Sequence, residues 1–150
     1  VPVKTIRKIL YATDYSESSV PACDYALTLA GLAGAEVHVL HVIGEFADQR
    51  KSQIQPEAMA LLEREVELQA VKEMKDFCRD KFDEKVRFQT EVVMGIPFQE
   101  ILKRAESLPA DLIVIGTHGR TGLEHVLVGS TAERLVRRST IPVLTVRSEV

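Results

Sequence analysis

Residues 6–43, IRKILYATDYSESSVPACDYALTLAGLAGAEVHVLHVI, hold a complete strand, helix and strand, and their reading constrains the rest of the chain. The opening stretch 6–13 (IRKILYAT) is short and mostly apolar, and it runs into the polar cluster Asp14-Tyr15-Ser16-Glu17-Ser18 as a buried strand runs into a turn. From Ser18 the pattern becomes helical. Val20, Cys23, Leu27 and Ala30 share one stripe, Pro21 suits the first turn, and Gly31 and Gly34 offer places to stop. Residues 35–43 (AEVHVLHVI) are then β-branched and nearly continuous, the composition of a strand covered on both faces. Strand, helix and strand in that order make a right-handed crossover between parallel strands.

The same alternation continues outward. Residues 44–55 are polar and patternless, and longer than the usual connection of about 2–6 residues, which predicts a mobile flap. Pro56 opens a long helix reaching about Phe82, with Met59, Leu62, Val66, Met74 and Phe77 expected inward. A third strand spans 86–94 (VRFQTEVVM), closed by Gly95 and Pro97, and Phe98, Ile101, Leu102 and Ala105 mark a short helix. Residues 111–115 (DLIVI) form the most apolar strand, 130–138 a further helix, and 142–147 (PVLTVR) a last strand. The prediction is a single α/β domain over residues 1–150. Its core is a doubly wound, Rossmann-like five-stranded parallel sheet in the order 3-2-1-4-5, with helices on both faces. That order leaves a crevice between strands one and four at their C-terminal ends, where open α/β sheets bind ligands.

Composition agrees with an ordinary globular chain. At 150 residues, with 45% apolar and 27% charged residues, it can bury roughly 70% of its unfolded surface in one core. A net charge of -3 argues against nucleic acid and anionic membrane as partners, because both require a large basic field. Cys23 and Cys78 stand far apart with no metal-ligand spacing around them, and are expected as buried free thiols. No apolar run approaches the ~18 residues of a membrane span and no signal-peptide core opens the chain, so the default expectation is the cytoplasm.

Two segments empty into the predicted crevice: Thr13-Asp14-Tyr15-Ser16 after strand one, and the long stretch that begins Gly116-Thr117-His118-Gly119-Arg120-Thr121 after strand four. Glycines at 116, 119 and 129 allow positive φ or a close approach to the backbone. Ser130-Thr131-Ala132-Glu133 reads as a capping box with Ser130 at the N-cap, so a helix N-terminus faces the crevice. Amides of Gly119, Ser130, Thr131 and Ala132 then offer an anion site, and Arg120 can cover a terminal phosphate. His118 is a further candidate donor to a phosphate oxygen. His38, His41 and His125 show no metal-ligand pairing and read as packing residues. Neither G-x-x-x-x-G-K-[ST] nor G-x-G-x-x-G is present, so the residues alone lead to a phosphate-bearing ligand and no further.

The spacing Gly116-x2-Gly119-x9-Gly129-Ser130 matches the G-x2-G-x9-G-[ST] pattern of ATP-binding universal stress proteins. The stretches ILYATDYSES, VHVLHVI, DLIVIGTHGRTG and IPVLTVR resemble that family as well, so the similarity covers nearly the whole chain. The resemblance implies ATP as ligand, with Mg or Mn carried on its phosphates. By the same resemblance Asp14 lies near base and ribose, and Val42 offers backbone groups to adenine. Gly116, Gly119, Gly129, Ser130 and Thr131 match the positions that hold ribose and phosphates. Asp14 also reads as an N-cap for the first helix. The expected role is a nucleotide-dependent regulator or sensor in stress response, with a nucleotide-free scaffold and a slow ATP-hydrolysing enzyme as the alternatives. The HxGH and SGGxDS signatures of ATP-splitting relatives are missing, and no catalytic residue is assigned. The apolar strand 142–147 would be a sheet edge, which predicts a homodimer through it.

Overall fold

A computed structural model describes residues 3–44, 54–82, 84, 86–118 and 128–148. Five parallel strands form one sheet: β1 (Lys8–Ala12), β2 (Glu36–Gly44), β3 (Phe88–Gly95), β4 (Leu112–Gly116) and β5 (Val143–Val146). Their order is β3-β2-β1-β4-β5, as expected. The helices are α1 (Val20–Ala33), α2 (Pro56–Lys81), α3 (Pro97–Ser107) and α4 (Ser130–Arg138). No described helix is long and apolar enough to cross a membrane.

Alternation along the central strands explains the layering. Ile9 and Tyr11 of β1 and Val37 and Val39 of β2 point into one cluster with α1 and α2, while Leu10, Ala12 and Leu40 point into another with α3 and α4. Both faces of the sheet are thereby covered, as a parallel sheet requires.

Several expectations needed adjustment. Strand one begins at Lys8 instead of Ile6, because the amides of Arg7 and Lys8 donate to the Asp111 carboxylate at 2.8 and 3.0 Å before the ladder starts. In α1 the buried stripe is Ala22, Cys23, Ala26 and Ala30, with Val20 and Leu27 only half-buried. Alanines four residues apart let the helix sit close to the sheet, a packing reason that a size-based stripe overlooks. The helix runs through Gly31 and stops at Gly34, whose φ of 67° turns the chain left-handed while the Ala35 amide reaches back to the Ala30 carbonyl at 3.0 Å. In α2, Met59 and Met74 are buried as expected and Phe77 packs against Tyr11 and Tyr15, but Leu62 is exposed. Both cysteines are buried and free.

Candidate functional site

Strands β1 and β4 are neighbours, and the chain leaves them in opposite directions, β1 towards α1 and β4 towards α4. Between the two exits lies a cleft of about 230 Å³. Its lining includes Asp14, Val42, Gly116, Gly129, Ser130 and Thr131, six of the eight residues expected to form the site. The other two, Gly119 and Arg120, lie outside the described residues, as do His125 and residues 45–53 of the expected flap.

The wall after β1 is knitted by short hydrogen bonds. Thr13 donates its amide to the Leu40 carbonyl at 2.9 Å, and its hydroxyl meets both the Ser19 hydroxyl at 2.9 Å and the Tyr15 amide at 3.0 Å. Asp14 accepts from the Ser16 amide at 3.0 Å and from the Ser16 hydroxyl, which closes a tight polar turn. This turn, and not an N-cap of α1, is the local role of its carboxylate. Tyr15 adopts φ 66°, a left-handed conformation that costs a non-glycine residue about 1–2 kcal/mol. Its ring stacks on His41 with centroids 4.2 Å apart and its hydroxyl donates to the Ala70 carbonyl at 2.9 Å, contacts that hold the strained residue in place. His41 in turn places Nδ1 2.8 Å from the Thr13 carbonyl.

The wall after β4 is built from backbone. A Cβ at Gly116 would stand 3.2 Å from the Ser18 carbonyl oxygen, and one at Gly129 only 2.9 Å from the Thr117 carbonyl oxygen. The Gly129 amide donates to that same Thr117 oxygen at 2.5 Å, which ties the start of α4 to the end of β4. Neither glycine takes a positive φ, so close approach, and not a special backbone angle, is what demands them.

The capping box at Ser130 is a correction. The N-cap is Gly129, whose carbonyl accepts from the Glu133 amide at 3.0 Å, while the Glu133 carboxylate pairs with Arg137 at 2.6 Å. Ser130 is therefore the first helical residue. The amides of Ser130, Thr131 and Ala132 belong to the first turn, which has no intrahelical acceptor for them, and all three residues line the cleft. With the helix dipole behind them they make up a donor set able to accept an anion. The Gly129 amide, already used, is not part of it.

The floor is apolar, formed by Ala12, Leu40, Ile101 and Ile115. At its inner corner the pairing of β1 with β2 ends at Ala12 and Leu40. The Leu40 carbonyl faces β1, and strand alternation turns the Val42 amide and carbonyl the same way, one step past the end of β1. Val42 thus presents a backbone edge to the cleft. His118 is half-buried and lines it too, with Nδ1 3.0 Å from the Thr117 hydroxyl.

Sequence reasoning brought Thr13 and Thr117 to the crevice without giving them a role, and it missed Ser19. Among the described residues these are the buried polar or charged ones, and all three line this cleft. A threonine directly after each of two adjoining apolar strands was the available signal.

Residues 5–147 match the universal stress protein family. Universal stress protein MJ0531 of Methanocaldococcus jannaschii is 36% identical over 143 residues, which cover 94% of this chain and 82% of the relative. The structure of MJ0577 from the same organism superposes with a TM-score of 0.87 at 33% identity, covering 98% of this chain and 99% of the other. A universal stress protein crystallised in complex with cAMP shares the fold, with a TM-score of 0.65 at 23% identity over 97% of this chain and 100% of its own. Family match, sequence identity and fold agree: the chain belongs to the universal stress protein family.

Proposed function

We propose that this chain is an ATP-binding regulator of a stress response, a single cytoplasmic domain whose nucleotide occupancy changes the surface it offers to partners. The observation that carries the reading is the open first turn of α4, with Ser130, Thr131 and Ala132 at the cleft and the Gly129 amide tied back to Thr117. Amides so placed make charge-assisted bonds of about 1.5–3 kcal/mol each to a phosphate, without a strong cationic field. The Val42 backbone edge and the apolar floor suit a purine, and the Asp14 carboxylate repels phosphate and accepts from amino or hydroxyl groups, which orients the ligand. The fold relative that carries cAMP supports an adenine nucleotide.

Gly119 and Arg120 complete the phosphate cradle in this reading. Mg or Mn is carried on the phosphates in this reading, with no side-chain ligand assigned to it. No general base is assigned, and slow hydrolysis is the most expected of the bound ATP. Pairing of β5, an edge of the sheet, with its copy makes the dimer.

The test needs no partner. Small molecules released by denaturing fresh protein are resolved by anion exchange, and the stripped protein is titrated with ATP and GTP by calorimetry. ATP should bind and be preferred, and Gly119→Val should abolish binding without unfolding the chain; binding of neither nucleotide would end the proposal.

A further inference from the structure

We infer that Arg134 and Arg138 extend the anion-binding end of the cleft, so that the ligand this chain fits best carries a linear phosphate chain longer than a triphosphate. The inference rests on the phosphate-binding role proposed for the first turn of α4. Helices α3 and α4 both start at the cleft, with Pro97 and Ser130 in its lining, and they pack together through Phe98, Ala132 and Leu135. Thr131, Arg134 and Arg138 are spaced i, i+3 and i+7, so they follow one line down α4. Thr131 stands in the cleft, and at about 1.5 Å per residue Arg134 and Arg138 follow roughly 4.5 and 10.5 Å further along the axis.

Both guanidiniums come to the same ring. Cζ of Arg134 lies 5.0 Å and Cζ of Arg138 5.2 Å from the centre of the Phe98 ring, which is itself buried. Phe98 follows Pro97 of the cleft lining, so the two charges gather where α3 begins. Among the described residues neither arginine has a hydrogen bond or a carboxylate partner, whereas Arg137 between them is held by Glu133 at 2.6 Å. The dipole of α4 favours a cation near its C-terminal end in any direction, and it does not account for two cations drawn to one ring with no acid between them.

A ring that steadies a guanidinium leaves its N–H fork open, and that fork matches the edge of a phosphate. The first turn of α4 meets an anion with backbone amides, and the two arginines offer the next positive charges along the same line. A phosphate chain suits both, because its negative charge repeats along its length. Its source is either a nucleotide with an extended chain or inorganic polyphosphate.

Calorimetric titration of the full chain compares ATP with adenosine tetraphosphate, and a short linear inorganic polyphosphate with a glutamate-rich peptide. The wild type should bind adenosine tetraphosphate about tenfold more tightly than ATP, with the advantage shrinking as salt rises, and should bind the polyphosphate and not the peptide. Arg134→Met combined with Arg138→Met keeps apolar stems on Phe98. It should erase that advantage and the polyphosphate binding while far-UV circular dichroism stays unchanged. Arg137→Met takes a charge from the same helix and should alter neither. A wild type that binds ATP and adenosine tetraphosphate equally well would overturn the inference, as would an equal effect of Arg137→Met or a peptide that binds as well as the polyphosphate. Polyphosphate binding that the double variant loses, with neither nucleotide bound, would remove the ATP reading and leave the arginine pair as a site for the inorganic chain.

Discussion

The two walls of the cleft solve one problem by opposite means. After β1 the chain turns by filling space with polar side chains: the Thr13, Ser16 and Ser19 hydroxyls and the Asp14 carboxylate satisfy one another and the local amides. Beside β4 the contacts are made by leaving side chains out: Gly129 comes nearer to the Thr117 carbonyl oxygen than a Cβ allows, and Gly116 leaves a Cβ little room beside the Ser18 carbonyl oxygen. The difference teaches which wall tolerates change. A hydrogen-bonded turn loses its bonds one at a time, whereas a backbone contact is either made or blocked.

The sharpest way to break the comparison is at Gly129. Gly129→Val forces the start of α4 away from Thr117, because the neighbour is backbone and cannot swing aside. Overpacking of this kind costs about 1–3 kcal/mol. Calorimetry should also show nucleotide binding lost, since the anion-binding amides move with the helix. Gly116→Ala, whose Cβ would stand 3.2 Å from its neighbour, should cost less in both measurements. If Gly116→Ala proves the more damaging, the tight contact at Thr117 is not what sets the wall.

Next in size is Thr13→Val, which keeps the shape and removes the hydroxyl shared by Ser19 and the Tyr15 amide. Denaturant unfolding should show a loss of about 1–3 kcal/mol, with nucleotide binding weakened but measurable. Complete loss of binding would show that this wall behaves like the glycine wall.

Asp111 provides a control at the opposite end of the strands. The amides of Arg7 and Lys8 donate to its carboxylate and hold its pKa below the ordinary 3.8. A depressed carboxylate contributes stability that is present above the unfolded value and lost as pH falls through the folded one. Because this carboxylate is exposed and screened by solvent, Asp111→Asn should lower stability by less than about 1 kcal/mol at neutral pH and flatten its decline below roughly pH 4, with nucleotide affinity unchanged. A changed affinity would show that the clamp on β1 reaches the cleft.

The smallest effect is expected at the thiols. Burial pushes Cys23 up to about 12 and Cys78 up to about 11, so neither is a thiolate near neutrality. A thiol reagent at pH 8 should leave native protein unmodified and label both cysteines once urea unfolds it. Labelling of the native state would mean that the α1–α2 side of the sheet opens more readily than the close alanine packing of α1 suggests.

Strand order, helix positions and the location of the cleft were legible in the residues because parallel α/β topology follows from alternation alone. The β-branched run ending at Ile43 and the apolar block before Gly116 placed both strand ends to within one residue. The capping of α4 was not legible. Ser130 and Glu133 have the spacing of a capping box, but Gly129 takes the N-cap because its backbone is tied to Thr117, a residue distant along the chain. The small-residue stripe of α1 escaped for a similar reason: which side of a helix lies close to a sheet depends on how near the helix can come.

Fold class, strand order and family could be read from the residues, since these rest on periodicity, on glycine and proline placement and on a spacing of fixed residues. Why the glycines are needed, what the Asp14 carboxylate accepts from and which leucines of α2 remain outside emerge from the folded chain alone. Those facts depend on distances between segments far apart in the chain, and a local pattern holds no measure of such distances.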